Sequence, residues 1–246
     1  MTHDNNFDYY QKKANWDFSE FEIETECLTD WDLYSELRRS VNAESRVLDL
    51  GTGGGEKLLA FFPICGEVIG TDFSPEMIRT ATENLKESGR KNILFKVMDN
   101  LHMDVPDEYF DVVVARHTII DAKQIFTCLR TGGRILVRGV DKYDCWDLKM
   151  MMGSGQAYGD PVSVSITDYE NIINAGFSDV ELVPIYEREF FRDADQFKAF
   201  LRTVPILDVF DEELLDRYIA ENTFDGRIRL QRRYYGITGT KAGKKP

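Results

Sequence analysis

The strongest constraint on the fold comes from residues 46–57, which read RVLDLGTGGGEK. The apolar residues before Gly51 are typical of a buried strand, the four glycines of a tight turn, and the residues after Glu56 have helical spacing. A strand, a glycine turn and a helix form the opening unit of a doubly wound α/β fold, which binds ligands at the carboxyl ends of its strands. The turn is therefore the first candidate binding site in the chain.

The residues around the glycines indicate what kind of ligand the turn binds. Glu56 stands where a dinucleotide-binding turn has a small residue, and its carboxylate would repel a pyrophosphate at the helix N-terminus. The spacing before Lys57 also differs from that of a phosphate-binding P-loop. Asp49, on the other side of the turn, favours a ligand that carries positive charge. A turn that only packs the helix against the strand is the alternative without a ligand.

Two further predicted strands also end in acidic residues. Asp72 follows the strand EVIGT, 21 residues after Gly51, where a carboxylate can accept both ribose hydroxyls of an adenosine. Asp99 follows the strand NILFKVM. The crossovers between these strands are long enough for right-handed β-α-β links. We therefore expect Asp49, Asp72 and Asp99 to converge on one crevice.

These motifs resemble class I S-adenosylmethionine-dependent methyltransferases. Residues 49–55 (DLGTGGG) look like the first motif of that family, whose pattern is D/E-x-G-x-G-x-G, and residues 71–78 (TDFSPEMI) look like the second. Residues 101–111 resemble the family's stretch of leucine, proline and acids that ends in Phe-Asp. The resemblance extends over about 32–237. It implies S-adenosyl-L-methionine as cofactor, a ligand with a sulfonium and an ammonium but no phosphate.

The resemblance also implies roles for individual residues. It assigns cofactor binding to Asp49, Gly51, Thr52, Gly53, Asp72, Phe73, Met77, Asp99, Asn100 and Arg116. In that family, Phe73 and Met77 would line the adenine side. Asp99 would accept the adenine amino group, and Asn100 would offer its backbone amide to the ring. A helix-core role is the alternative for Met77, and a turn residue is the alternative for Asp99.

Arg116 and His117 follow the apolar strand DVVVA at its predicted carboxyl end. Arg116 has the charge to neutralise a carboxylate of either the cofactor or the methyl acceptor. His117 is a candidate general base because the free pKa of imidazole lies close to neutral, and a helix cap or a packed ring is the alternative. Methyl transfer can rest on holding acceptor and methyl in line, so no catalytic residue is assigned.

The predicted fold is α/β: a doubly wound, Rossmann-like, seven-stranded and mostly parallel sheet with an antiparallel last strand. The predicted segments are an aromatic cap at 1–32, the cofactor-binding domain at 33–188 and 227–238, a helical lid insertion at 189–226, and a flexible tail at 239–246. In the resembled family such a leader often folds over cofactor and substrate, and a surface strap is the alternative. The insertion lies between strands six and seven. The alternatives to a lid are that it covers a face of the sheet or forms a homodimer contact.

The composition of the chain restricts the classes of partner and the compartment that we expect for the protein. A net charge of −13 argues against a nucleic-acid or anionic-membrane surface, either of which needs a basic face. The four cysteines have neither C-x-x-C nor metal-ligand spacing with the three histidines, which predicts reduced thiols, a cytoplasmic protein and no metal. No signal-like or long apolar segment is present, so we expect neither export nor membrane spanning.

The sequence therefore predicts an S-adenosylmethionine-dependent methyltransferase that transfers a methyl group to a small-molecule acceptor by in-line displacement. Alternatives are another role for the same cofactor, as an aminopropyl transferase or a non-catalytic sensor, and an RNA methyltransferase. Residues 116–118 lack the paired acids of an aminopropyl enzyme. A nicotinamide dehydrogenase is disfavoured by Glu56, and Tyr143 and Tyr158 have no lysine four residues on. The acceptor itself is not specified.

Overall fold

The computed structural model describes residues 21–243, which contain nine β strands and eight α helices. The strands are β1 (Glu24–Cys27), β2 (Arg46–Leu50), β3 (Glu67–Asp72), β4 (Ile93–Val97), β5 (Phe110–Arg116), β6 (Leu129–Val140), β7 (Ser178–Phe191), β8 (Thr223–Phe224) and β9 (Arg227–Thr240). The helices are α1 (Leu33–Ser40), α2 (Glu56–Phe61), α3 (Pro75–Ser88), α4 (Ala122–Cys128), α5 (Trp146–Met152), α6 (Val164–Ala175), α7 (Ala194–Thr203) and α8 (Glu212–Asn222).

All nine strands belong to one sheet, in the order β1-β7-β9-β6-β5-β2-β3-β4, with β8 paired to β9. Strands β2 to β6 run parallel to their neighbours among themselves, and β9 is antiparallel to both β6 and β7. The predicted Rossmann-like α/β fold with an antiparallel last strand is confirmed. The sheet has two strands beyond the seven predicted, because β1 adds to the edge at β7 and the two-residue β8 forms a hairpin with β9.

The centre of the sheet is buried on both faces, as expected when helices cover a parallel sheet. Strand β5 shows this most clearly, since Val112 and Val114 pack in one apolar cluster while Val113 and Ala115 pack in another. Helices α1, α2 and α3 contribute to the first cluster, and α4 and α6 to the second. The two helical layers leave the carboxyl ends of the parallel strands as the edge where a ligand can enter.

Helices α7 and α8 come from the stretch between β7 and β9, where the sequence predicts an insertion. They form a third apolar cluster with α5 and with the far ends of β7 and β9. Phe197 and Tyr218 stack within it, with ring centroids 6.0 Å apart. Strand β7 continues through Phe191, so the first helix begins later than the predicted boundary at residue 189.

The ends of the chain differ in part from the predicted segments. Gly239 and Thr240 were expected to belong to a flexible tail, but they continue β9, and Lys241 is buried with its Nζ donating to the carbonyl of Leu129. Most of the predicted aromatic cap at 1–32 lies outside the described residues. Between residues 21 and 243, no helix has the length and apolar character that crossing a membrane requires.

Candidate active site

The glycine turn between β2 and α2 has a backbone that requires glycine. Gly51, Gly53 and Gly55 have φ angles of 71°, 58° and 79°, in the left-handed region that side chains disfavour. A Cβ at Gly51 would also lie 2.7 Å from the Cβ of Thr118. The backbone N–H of Thr52 donates to the carbonyl of Thr71 at 2.8 Å, which fixes the turn against β3.

Asp72 joins the glycine turn to the start of α3. Its Oδ2 accepts the N–H of Gly53 at 3.1 Å, and its Oδ1 accepts the N–H of Ser74 at 2.9 Å. Burial raises the pKa of Asp72, although these backbone donors oppose the shift. The carboxylate is half-buried, so it is fixed in place and still has an accessible side. A fixed carboxylate of this kind suits hydroxyl donors of a ligand.

Asp49 is the most buried acid of the site, with 6% of its surface exposed. Burial raises its pKa to about 7, the nearby charge of Asp72 adds to the shift, and Arg116 opposes it. The carboxylate lines a narrow cleft beside the glycine turn. The cleft is lined by Leu33, Tyr34, Asp49, Gly51, Thr52, Lys57, Leu58, Phe62, Val114 and Arg116. A bound cation would favour the charged form of Asp49.

Arg116 lies at the end of β5 and faces the same cleft. Its guanidinium makes no ion pair or hydrogen bond to any residue between 21 and 243. Its charge nevertheless affects the titration of Asp49, His117 and Tyr34, which places it near all three. A half-buried guanidinium without a partner is suited to an anionic group of a ligand.

Asp99 differs from the other two acids in its surroundings. Its carboxylate is exposed and accepts the N–H of Leu101 and the Nδ1 of His102, both at 2.8 Å. The neighbouring Asn100 is buried, and its Nδ2 donates to the hydroxyl of Thr118 at 3.0 Å. Asn100 thereby ties the end of β4 to the segment after β5. Its buried Oδ1 has no hydrogen-bond partner in the described part of the chain.

The two remaining predicted cofactor residues lie beside Asp72. Phe73 follows it directly and is half-buried. Met77 is 1% exposed, and its N–H donates to the capping hydroxyl of Ser74 at 3.3 Å. The Met77 side chain therefore lies in the interior, where the helix-core alternative would place it.

His117 is held in one orientation from three sides. Its backbone has a φ of 53°, its Nε2 lies 2.8 Å from Nη1 of Arg138, and its ring stacks on Tyr234. Desolvation and the positive charges of Arg116 and Arg138 lower its pKa well below the usual range. The residue is exposed, which weakens the effect of desolvation. The charges of the two guanidinium groups are therefore the main cause of the lowered pKa. A ring whose basic nitrogen is occupied is a poor general base.

The sequence analysis missed the charged residues around this ring. Arg138 also donates to Glu187 at 2.8 Å, and Arg232 forms a buried network with Asp144 and Glu189. A signal for Arg232 exists in the sequence, because it occupies the apolar register of β9 between Leu230 and Tyr234. A buried arginine needs carboxylate partners. No sequence pattern identifies which carboxylates those are.

The fold and the site together define a class I methyltransferase architecture, and comparison with known proteins agrees. A family described as "Methyltransferase domain" matches residues 42–171, more than half of the chain. The chain therefore belongs to the methyltransferase domain family, and the predicted resemblance to class I S-adenosylmethionine-dependent methyltransferases is confirmed. This class implies S-adenosylmethionine as methyl donor.

Curated relatives are similar over parts of their length. The chain is 34% identical over 94 residues to the methyltransferase YcgJ of Bacillus subtilis, covering 38% of this chain and 37% of the relative. It is 32% identical over 162 residues to arsenite methyltransferase of Halobacterium salinarum, covering 61% and 41%. It is 28% identical over 205 residues to a ubiquinone/menaquinone biosynthesis C-methyltransferase of Vibrio vulnificus, covering 79% and 67%. The chain thus spans less than half the length of the first two.

Solved structures share the fold. The crystal structure of YcgJ from Bacillus subtilis has a TM-score of 0.54 and 21% identity, covering 86% of this chain and 98% of that one. A phosphoethanolamine N-methyltransferase of Haemonchus contortus, solved with S-adenosylhomocysteine, has a TM-score of 0.51 and 18% identity, covering 87% and 53%. At these identities the likeness concerns the fold alone.

Proposed function

We propose that the protein binds S-adenosylmethionine at the glycine turn and transfers its methyl group to a small-molecule acceptor. The observation that supports this most is the pairing of two acids around the turn: Asp72 is hydrogen-bonded to the N–H of Gly53, and the buried Asp49 lines the cleft beside it. Family membership supplies the reaction class.

The residues of the site fit this cofactor. Asp72 has acceptor capacity left for ribose hydroxyls, and Asp49 suits a cationic group. Arg116, whose guanidinium has no partner between residues 21 and 243, suits a carboxylate. A Cβ at Gly54 would overlap the carboxylate of Glu56, so that carboxylate folds back over the turn. Negative charge at this position disfavours a pyrophosphate and is compatible with a ligand that lacks one.

When bound, S-adenosylmethionine supplies a methyl group activated by its sulfonium. The role of the protein is then to bind and orient the two reactants and to exclude water, because in-line displacement depends on their alignment. We assign Asp49, Asp72 and Arg116 to direct contact, and Gly51, Thr52 and Gly53 to close backbone approach. The adenine side is assigned to Phe73, Asp99 and Asn100, and Met77 supports it by packing.

The acceptor is proposed to be a small molecule. The net charge of −13 disfavours nucleic acid, and a cavity of about 310 Å³ lies where the loop after α5 meets the α7–α8 insertion. Two contacts join these parts, from Gly155 N to Asp208 Oδ2 at 3.1 Å and from Gln156 N to the carbonyl of Ile206 at 3.0 Å. The insertion as an acceptor lid, a homodimer contact and a cytoplasmic location stay predictions.

The experiment is a methyl-transfer screen with methyl-labelled cofactor and a panel of small amines, phenols, thiols and carboxylic acids, with tRNA as a separate arm. We expect label transfer to a small molecule, and none by an Asp72→Ala variant. Transfer to tRNA alone would instead indicate an RNA methyltransferase. Cofactor binding without transfer to any acceptor class would indicate a non-catalytic sensor, and aminopropyl transfer from the decarboxylated cofactor would indicate an aminopropyl transferase.

A further inference from the structure

His117 has the geometry of a preorganised binding group. It lies directly after β5, and its φ of 53° is uncommon for a residue with a side chain. Its backbone N–H donates to the carbonyl of Arg138 at 2.8 Å. The imidazole lies parallel to the ring of Tyr234, with 10° between the planes and 5.3 Å between centroids. Backbone strain of this kind persists where the surroundings enforce it, and it clusters at functional sites.

The contact with Arg138 determines which nitrogen of the ring carries the proton. A guanidinium only donates hydrogen bonds, so Nε2 of His117 accepts the bond from Nη1 of Arg138 at 2.8 Å. In the neutral ring the proton is therefore on Nδ1. Arg138 is itself fixed, because its Nη2 donates to Oε1 of Glu187 at 2.8 Å and its guanidinium lies 4.1 Å from the centroid of the Tyr234 ring.

The Nδ1–H of His117 has no acceptor among residues 21–243. Between residues 21 and 243, the only hydrogen bond of the imidazole is the one that Nε2 accepts. The residue is exposed, so part of it is accessible to a ligand. By contrast, His102 has its Nδ1 engaged by Asp99. His117 is thus fixed in place while its Nδ1–H donates to none of the residues that the structure describes.

The charges around the ring favour an anionic partner for that donor. The groups that face it are Lys57 on α2, Arg116 on β5, Arg138 on β6, Glu187 on β7, and Arg232 and Tyr234 on β9. Two of these cations, Lys57 and Arg116, also line the cleft beside Asp49. His117 therefore lies next to the proposed cofactor site, and its neutral donor sits in a field that attracts negative charge.

We propose that His117 is an acceptor-binding residue whose Nδ1–H donates to an oxyanion of the methyl acceptor, a carboxylate or phosphate oxygen. This inference rests on the proposed function, since it specifies the substrate class of the same site. It gives His117 a binding role in place of the general-base role considered from the sequence. The acceptor must then become nucleophilic without passing its proton to Nε2, which Arg138 already occupies.

The test is nitrogen NMR of the histidine side chains, with and without S-adenosylhomocysteine. The chain has three histidines, so a His117→Asn variant assigns the signal directly. We expect Nδ1 to be protonated and Nε2 to be unprotonated at pH 7. Inorganic phosphate or acetate should shift the Nδ1 signal saturably, at concentrations on the order of millimolar, while chloride at equal ionic strength should not. Which of the two anions acts identifies the oxyanion. The signals of His102 are the internal control.

The variant that tests the positioning is Arg138→Gln, with Arg188→Gln as the matched control. Arg188 pairs with Glu26 near the sheet edge. We expect Arg138→Gln to mix the two tautomers of His117, raise its pKa and weaken the anion response at least about tenfold, which is about 1.4 kcal/mol. A protonated Nε2 in the wild type, or no saturable response to either anion, would overturn the inference. Failure to bind S-adenosylhomocysteine would instead contradict the proposed function.

Discussion

Asp49 and Asp72 lie at the ends of neighbouring strands, yet their surroundings stabilise the two charged forms to different extents. Asp72 accepts two backbone N–H groups, which stabilise its charged form. Burial raises the pKa of Asp49 to about 7, so at neutral pH its charge is costly in the ligand-free protein. A ligand that brings a cation to the cleft would remove that cost. The contrast explains how two aspartates can bind different parts of one ligand.

The raised pKa of Asp49 predicts how stability depends on pH. Between about pH 4 and pH 7 the folded state holds a proton on Asp49 that the unfolded chain has lost, so this group makes the free energy of unfolding fall as pH rises. Asp49→Asn should remove that contribution and be more stable than the wild type at pH 8, by up to about 4 kcal/mol. Denaturant unfolding across this pH range measures it.

The control is Asp104→Asn, which changes an exposed acid that pairs with Lys96. The Lys96 pairing lowers the pKa of Asp104, so this variant should alter the pH dependence only below about pH 4 and should retain the fall in stability between about pH 4 and pH 7. Equal pH slopes for the wild type and Asp49→Asn would contradict the assigned burial of this charge.

Asp72→Ala should reduce affinity for S-adenosylhomocysteine at least about a hundredfold. The variant would remove the proposed ribose acceptor and also the hydrogen bond that Asp72 accepts from the N–H of Gly53. Each hydrogen bond to a charged group is worth about 1.5–3 kcal/mol. Calorimetric titration measures the affinity, and a thermal melt checks that the variant is folded. Asp104→Ala is the matched control and should bind normally. Unchanged affinity of Asp72→Ala would remove the ribose assignment.

At the residue scale, the sequence predicts those site residues whose place depends only on their local position in the chain. Asp49 and Asp72 follow from strand ends and motif spacing. The pairing of Asp99 with His102 depends on how one short turn closes, and the surroundings of His117 come from β6, β7 and β9. Contacts between distant strands have no signature in a single sequence.

The glycine turn is the element whose geometry matters most for the site. Gly51→Ala should destabilise the fold by more than the cost of a left-handed alanine, about 1–2 kcal/mol, because the new Cβ would also overlap Thr118. It should weaken S-adenosylhomocysteine binding as well. Unfolding and titration experiments measure both effects.

Gly132→Ala is the matched control for this prediction. Its φ of 81° is also left-handed, but a Cβ there would meet nothing within 4 Å. It should show only the backbone cost and bind the ligand normally. Equal losses of stability for the two variants would contradict the steric argument.

The insertion has a core of its own, separate from the cofactor cleft. Phe197 is fully buried there, against Phe191 and Tyr218. Phe197→Ala should cost about 3–5 kcal/mol of unfolding free energy, because it leaves a cavity in an apolar cluster. Affinity for S-adenosylhomocysteine should change less than about threefold in the protein that remains folded. A large loss of affinity with little loss of stability would contradict this separation.

Elements with strong periodic patterns were predictable, and weakly patterned ones were not. The strands β2 to β5 are apolar runs between turn signals. Strand β1 has four exposed residues and is held by pairing with β7, so nothing in its sequence indicates a strand. At 167–170, a Thr-x-x-Glu pattern resembles a helix start, but Ser163 is the N-cap of α6 because its hydroxyl accepts the N–H of Ser165.

At the scale of the whole molecule, strand order places the site. Strand β2 lies between β3 and β5. The chain adds β3 and β4 on one side of β2 and then crosses back to add β5 and β6 on the other side, and such a switch point is where doubly wound sheets bind ligands. The sequence predicts this edge because crossover lengths and motif order fix it. The packing of the insertion against α5 and the loop after it depends on contacts between distant residues, which the sequence does not predict.

The most direct test of the account is calorimetric titration of the protein with S-adenosylhomocysteine, S-adenosylmethionine and NAD under identical conditions. We expect both sulfur nucleosides to bind at about micromolar levels or tighter and NAD to produce no binding heat. Binding of NAD with both sulfur nucleosides silent would contradict the claim that a cationic, phosphate-free nucleoside occupies the crevice between Asp49 and Asp72.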